Sequence, residues 1–144
     1  LAYAAAGADL VIADIIPERC EETAQRVRES GRRALPLVTD VTDTEQVRAL
    51  VAQAGEHFGR IDILVNNAGG VSPRPFIEQS ERAWRRLIDL NLVSMLAAPL
   101  AEPARPARNR TAATTGAALG VAIVTASGDR PRRRMVFPSI FVWP

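Results

Sequence analysis

Short, unbroken apolar runs alternate with amphipathic stretches up to about residue 98, and this alternation constrains the fold more than any other feature. Leu10-Val11-Ile12-Ala13 offers no polar residue to a wet face, as expected of a strand covered on both sides, and it stops at Asp14. Pro17 sits where a helix can begin. Glu18 to Ser30 continues as that helix, with Gly31 as its stop. Ala34 to Val38 reads as a second short strand, which tolerates Pro36 only near a sheet edge. Strand, helix and strand in this order predict βαβ units and a parallel sheet.

The pattern continues downstream. Thr42-Asp43-Thr44-Glu45 has capping-box spacing, so a helix should begin at Asp43. Val47, Leu50, Val51, Ala54 and Phe58 recur at helical intervals and should face the sheet. Ile61 to Val65 is the clearest strand. Ser80 can cap a further helix in which Trp84, Leu87, Ile88 and Leu92 share a face. At the start, Leu1 to Ala6 reads as the end of a helix closed by Gly7.

The 144 residues amount to one domain. No apolar run reaches membrane-spanning length, and the first residues do not read as a signal peptide. A lone Cys20 with a lone His57 supplies neither a disulfide nor a metal-ligand cluster, so no metal is expected and a reducing cytoplasm is the default compartment. Cys20, His57 and Trp84 read as structural residues. The net charge of +2 is unevenly spread. Residues 1–98 carry 11 Arg against 14 acidic residues, and residues 99–144 carry 7 Arg against Glu102 and Asp129. There is no lysine.

The strongest motif is Gly59-Arg60-Ile61-Asp62-Ile63-Leu64-Val65-Asn66-Asn67-Ala68-Gly69, an apolar strand ending in residues that allow a sharp turn close to a ligand. It resembles the Asn-Asn-Ala-Gly segment of the short-chain dehydrogenase/reductase family, and three further segments match in the family's order. Gly7 to Asp14 is similar to its second strand. In the family the terminal acid accepts hydrogen bonds from the adenosine ribose and repels a 2′-phosphate, so Asp14 favours NAD over NADP. The same Asp14 also suits a plain cap for the helix near Pro17. Asp40-Val41 resembles the pair that meets adenine, and it equally suits a strand end before a capped helix. Asp89-Leu90-Asn91-Leu92 resembles the helix motif whose Asn holds the active-site water and lysine through a local helix irregularity. Gly120 to Ser127 is similar to the fifth strand, ending in a counterpart of the catalytic Ser.

The resemblance implies a Rossmann-like, doubly wound α/β sheet with Asp14, Asp40, Val41, Asn67, Ala68 and Gly69 on the cofactor and Asn91 and Ser127 in the catalytic apparatus. It implies an NAD(P)-dependent oxidoreductase that transfers hydride between nicotinamide and a small alcohol or ketone, in a homo-oligomer. Gly70 to Phe76 would line one wall of the substrate pocket.

Two departures stand against this. The family's glycine-rich phosphate loop is absent, and the sheet is expected to be incomplete, without its first strand and with two strand edges open. Such a chain, alone, should be unstable or aggregate. The family's Tyr, four residues before a Lys, is missing too: Tyr3 lies in the wrong region, and the expected positions hold Ile140 and Pro144. The chain thus reads as an inactive fragment. A catalytically dead relative that binds a nucleotide or a partner is the alternative.

Six of the ten prolines fall in residues 99–144. The run from Pro103 to Thr115 fits no regular element, which divides the chain into a partial dinucleotide-binding domain, 1–98, and a Pro/Arg-rich segment, 99–144. That segment is read either as a divergent tail or as the product of a shifted reading frame. Val121 to Ala126 could form a strand. Arg130 to Arg134 reads as a solvated loop, without the aromatic platform expected of a nucleic-acid surface.

Overall fold

The computed structural model describes residues 1–101, 110–118 and 121–126. A short helix α1 (Ala2–Ala5) leads through Gly7, at a φ of +93° that glycine adopts without strain, into strand β1 (Ala8–Asp14). Helix α2 (Pro17–Glu29) follows and is closed by Gly31 in the same left-handed region. Strand β2 (Ala34–Val38), helix α3 (Thr44–Phe58) and strand β3 (Ile63–Ala68) complete the first half. Helix α4 (Glu81–Ile88) then runs through a π-helical turn, Asp89–Val93, into helix α5 (Ser94–Ala101). Strands β4 (Arg110–Ala118) and β5 (Val121–Ala126) follow.

The five strands form one sheet in the order β2-β1-β5-β3-β4. Strand β2 runs parallel to β1, and β4 parallel to β3, while β5 is antiparallel to both its neighbours. The edge position of β2 explains how Pro36 is accommodated. Every residue of β1 is buried, because it has a strand on each side and helices above and below.

Two apolar clusters sandwich the sheet. Val11, Ala13 and Leu64 pack with Val47, Leu50, Val51 and Ala54 of α3, and Phe58 adds to the rim. On the other face Leu10, Ile12 and Val65 pack with Ala24 and Val27 of α2 and with Ala4 of α1. Alternate residues of β1 thus feed opposite cores, as the period-2 geometry of a strand requires.

Several expectations need correction. The capping box is set one residue later than Thr42-x-x-Glu45. Asp43 is the cap, its carboxylate accepting from Glu45 N–H and Gln46 N–H (2.9 and 3.2 Å), and Gln46 returns a side-chain bond at 3.0 Å. Strand β3 begins and ends later than Ile61 to Val65. Asn66 belongs to it because its buried amide donates to the Met95 carbonyl at 3.2 Å. The stripe Trp84, Leu87, Ile88 and Leu92 does not form a buried face: Ile88 and Leu92 are exposed. The widened turn between them shifts the helical register.

The largest correction lies after residue 98. Arg110 to Thr115, expected to be irregular, is part of β4. The expected strand 121–126 exists, but it is not a parallel strand in the family's fifth position. It runs antiparallel between β1 and β3, pairing both edges that the sequence left open. One sheet therefore spans the boundary placed at residue 98.

Candidate functional site

Register along β5 fixes where the candidate residues stand. Ile12 and Val65 both pair with Ala122, and Val11 and Leu64 both pair with Ile123. Strands β1 and β3 are therefore level and point the same way. Asp14 and Asn67, each two residues beyond the Ala122 partner, reach the same end of the sheet with one strand between them. Two inter-strand spacings separate their backbones, or about 10 Å.

At that end the strand termini enclose a cleft of about 130 Å³. It is lined by the end of β1 and the residue after it (Ala13 to Ile15), by Thr39 to Thr42 after β2, by Ala68 and Gly69 at the end of β3, and by Arg86 and Leu90. Asp14, Asp40, Val41, Ala68 and Gly69 thus converge on one cavity. Asn67 adjoins them in β3.

Asp14 is buried, and its Oδ1 accepts from the Ile16 N–H at 2.9 Å. This bond turns the chain into α2, so the capping role exists in an Asx-turn form. No hydrogen bond from the described residues reaches its Oδ2, and Asp14 lines the cleft. Cys20 steadies the same turn from below, its buried thiol donating to the carbonyls of Asp14 (3.6 Å) and Leu37 (3.7 Å). Burial pushes this thiol pKa up, with the Asp14 charge adding to the effect. Cys20 is thereby a protonated donor rather than a nucleophile.

Asp40 is held by Thr42, whose N–H and hydroxyl both donate to Oδ1 (2.9 and 2.7 Å). Gln46 accepts from the Asp40 N–H at 2.9 Å. The loop after β2 is thus pinned to the first turn of α3. Val41 is buried against the core and shows the cleft an apolar surface.

Asn91 lies inside the π-helical turn. Its Oδ1 accepts from the Gly70 N–H (3.0 Å), and its Nδ2 donates to the carbonyls of Gly70 (2.9 Å) and Leu87 (2.8 Å). Ser94 donates to the Leu90 carbonyl at 2.6 Å, so side chains satisfy the carbonyls of the distorted turn. A Cβ at Gly69 would stand 2.7 Å from Asn91 Oδ1, leaving no space for a side chain there. The irregular helix and the β3 turn are locked together through one asparagine.

Sequence reasoning missed Ala13, Ile15, Thr39, Thr42, Arg86 and Leu90 as lining residues. Leu90 was in sight beside Asn91. Arg86 carries no local signal, since an arginine on a helix reads as a solvated charge. Ser127 and Arg130 to Arg134 lie outside the described residues. The described residues hold no metal-ligating cluster, and none of their helices is long and apolar enough to cross a membrane.

Between β1 and β3 the family's phosphate loop would leave a parallel strand and enter a helix. Here β5 enters the sheet at that end instead, with Val121 opposite Ala13.

Comparison with known proteins places this geometry. A family model described as short chain dehydrogenase matches residues 1–101. The chain is 42% identical over 90 residues to the cis-4-hydroxycyclohexanecarboxylate dehydrogenase of Sinomonas cyclohexanicum, covering 62% of this chain and 36% of that protein. It resembles a 7α-hydroxysteroid dehydrogenase solved with NADH and 7-oxo glycochenodeoxycholic acid (TM-score 0.59, 31% identity, 63% of this chain and 35% of that one). It also resembles an alcohol dehydrogenase of the archaeon Thermococcus sibiricus solved with 5-hydroxy-NADP (TM-score 0.64, 28% identity, 69% and 44%). The chain spans just over a third of the length of the curated relatives it matches. With its first 101 residues matched in order and its strand ends gathered around one cleft, the chain belongs to the short chain dehydrogenase family.

Proposed function

We propose that this chain binds the adenosine half of NAD, within an oxidoreductase of the short-chain dehydrogenase type that interconverts small alcohols and ketones. The observation that carries the reading is the convergence of Asp14, Asp40, Val41, Ala68 and Gly69 on one cleft beyond parallel strand ends. A crevice outside the carboxyl ends of the strands is where open α/β sheets take nucleotides.

The residues divide the work by chemistry. The Asp14 carboxylate accepts from ribose hydroxyls and opposes a 2′-phosphate, which favours NAD over NADP. Asp40 accepts from the exocyclic amine of adenine while Val41 covers one ring face. Asn67 and the turn after Ala68 border the nicotinamide side, and Asn91 holds that turn at Gly70. The bound dinucleotide supplies the hydride acceptor or donor.

Proton transfer is the step these residues do not provide. The only tyrosine, Tyr3, packs against the apolar cluster that includes Ala4 and Ala8, at the end of β1 away from the cleft, and the sequence has no lysine to partner it. We therefore read the 144 residues by themselves as a binder without turnover.

Calorimetric titration of the chain with NAD and NADP tests this. NAD should bind more tightly, and Asp14→Ala should weaken NAD and erase the preference. Equal binding of both dinucleotides by the unaltered chain would refute the role given to Asp14. Reduction of NAD in the presence of a simple secondary alcohol would refute the absence of turnover.

A further inference from the structure

We propose that Arg86 is a specificity-determining residue of this cleft, laying its guanidinium plane against the purine ring on the side opposite Val41. The inference deepens the adenosine reading and rests on it.

Arg86 lies in the last turn of α4 and Leu90 in the π turn that follows, and both line the cleft. Val41 and Thr42 line the same cleft. A flat heteroaromatic ring entering it meets apolar surface from Val41 and Leu90 and one planar cation. Guanidinium groups stack well on π-faces because they are flat and weakly hydrated.

The neighbouring arginine shows why the assignment falls on Arg86. Arg85 is engaged: it pairs with Glu81 at 2.6 Å and lies 5.0 Å over the Trp84 ring. Arg86 has neither an ion pair nor a hydrogen bond among the described residues, and it is exposed at the cleft mouth. Its side chain is therefore available without breaking any existing interaction. Among the described residues the cleft's charges are the carboxylates of Asp14 and Asp40 and the guanidinium of Arg86, its single cationic lining residue there. Those carboxylates sit where they can accept from the ribose and the adenine edge. The ring face is left for the arginine.

The test is binding of adenosine, which carries no phosphate, to the 144-residue chain and to Arg86→Ala and Arg86→Lys. Circular dichroism should show unchanged helix content, since the Arg86 side chain has no ion pair or hydrogen bond among the described residues. Arg86→Ala should weaken adenosine by about three- to tenfold. Arg86→Lys should lose a similar factor, because it keeps the charge without the plane. Unchanged adenosine affinity in Arg86→Ala overturns the proposal. So does full recovery in Arg86→Lys, which would make charge alone the determinant. A loss seen for AMP but not adenosine overturns it as well, by assigning Arg86 to a phosphate. If the unaltered chain binds no adenosine, the adenosine reading itself falls and takes this inference with it. The outcomes are separable.

Discussion

Residues 1–101 and the two strands that follow them reach the same sheet by different routes. In the first region each strand is covered by a helix next to it in sequence: β1 by α1 and α2, β3 by α3. Its caps are local, its glycines stop helices where helices must stop, and its apolar residues fall into two buried clusters. Strand β5 pairs instead with partners more than fifty residues away, Ala126 with Ala8 and Val124 with Ile63. Its place is dictated by the gap it fills. Strands β1 and β3 are level and separated by one strand's width, and two facing rows of backbone donors and acceptors need a partner between them. An antiparallel strand satisfies these rows as well as a parallel one does. The lesson is that a doubly wound sheet specifies a vacancy by hydrogen bonding, without specifying the direction of the strand that fills it.

The largest expected effect comes from breaking that long-range pairing. Proline at Ile123, which pairs with Val11 and with Leu64, removes a ladder donor in the middle of the sheet. A cost of about 3 kcal/mol or more is expected, enough to abolish a cooperative melt in a domain of this size. Circular dichroism and size exclusion would show lost cooperativity and association through the reopened edges. If Ile123→Pro melts like the unaltered chain, β1 and β3 are not bridged by β5, and the comparison collapses.

How much was legible follows from the same contrast. Strand β1, helices α2 and α3, edge strand β2 and the Ser80 cap could be read because each is announced within a few residues. Asp14, Asp40, Val41, Ala68 and Gly69 were singled out by resemblance to the family, and the structure brings them to one cleft at the strand ends without testing what they bind. The later end of β3 was hidden, since asparagine disfavours strands and Asn66 is held by a carbonyl 29 residues away. The face of α4 was misread because periodicity assumes a uniform helix and the π turn breaks it. Strand β4 has no alternation in Arg110 to Ala118 to give it away. The direction of β5 has no local signature at all.

A smaller effect probes the first region where it is least expected to depend on β5. Asp9 is fully buried at the start of β1. Its carboxylate pairs with Arg32 (2.6 Å) and Arg33 (2.8 Å) and accepts from the Arg33 N–H at 3.1 Å. Arg33 in turn lies 4.9 Å over the Phe58 ring, so this clamp ties β1, the entry to β2 and the end of α3. Asp9→Ala leaves the part-buried Arg33 N–H without this acceptor and frees two cations that can partly return to water. The expected loss is about 2 kcal/mol by chemical denaturation, with binding at the far end of the sheet unchanged. A loss near zero would mean that the two arginines are surface charges and that the apolar clusters alone hold this corner.

The smallest effect sharpens the comparison at its most local point. Asp43 caps α3, and bonds from the backbone N–H and side chain of Gln46 hold its pKa below the ordinary aspartate value. A carboxylate whose folded pKa is lowered stabilises the fold fully above its unfolded pKa, and this contribution disappears as pH falls through the folded value. Asp43→Ala should therefore melt a few degrees lower at neutral pH, with the difference shrinking below the ordinary aspartate range. Asp43→Asn, which keeps an acceptor oxygen but no charge, should fall between the two and show no such pH dependence. Neither variant should alter sheet pairing, because the cap is exposed and its partners lie within three residues. A pH-independent difference for Asp43→Ala would assign the effect to helix propensity rather than to the capping carboxylate. A change in the Ile123→Pro phenotype when the two substitutions are combined would show that the local and long-range halves of the molecule are coupled after all.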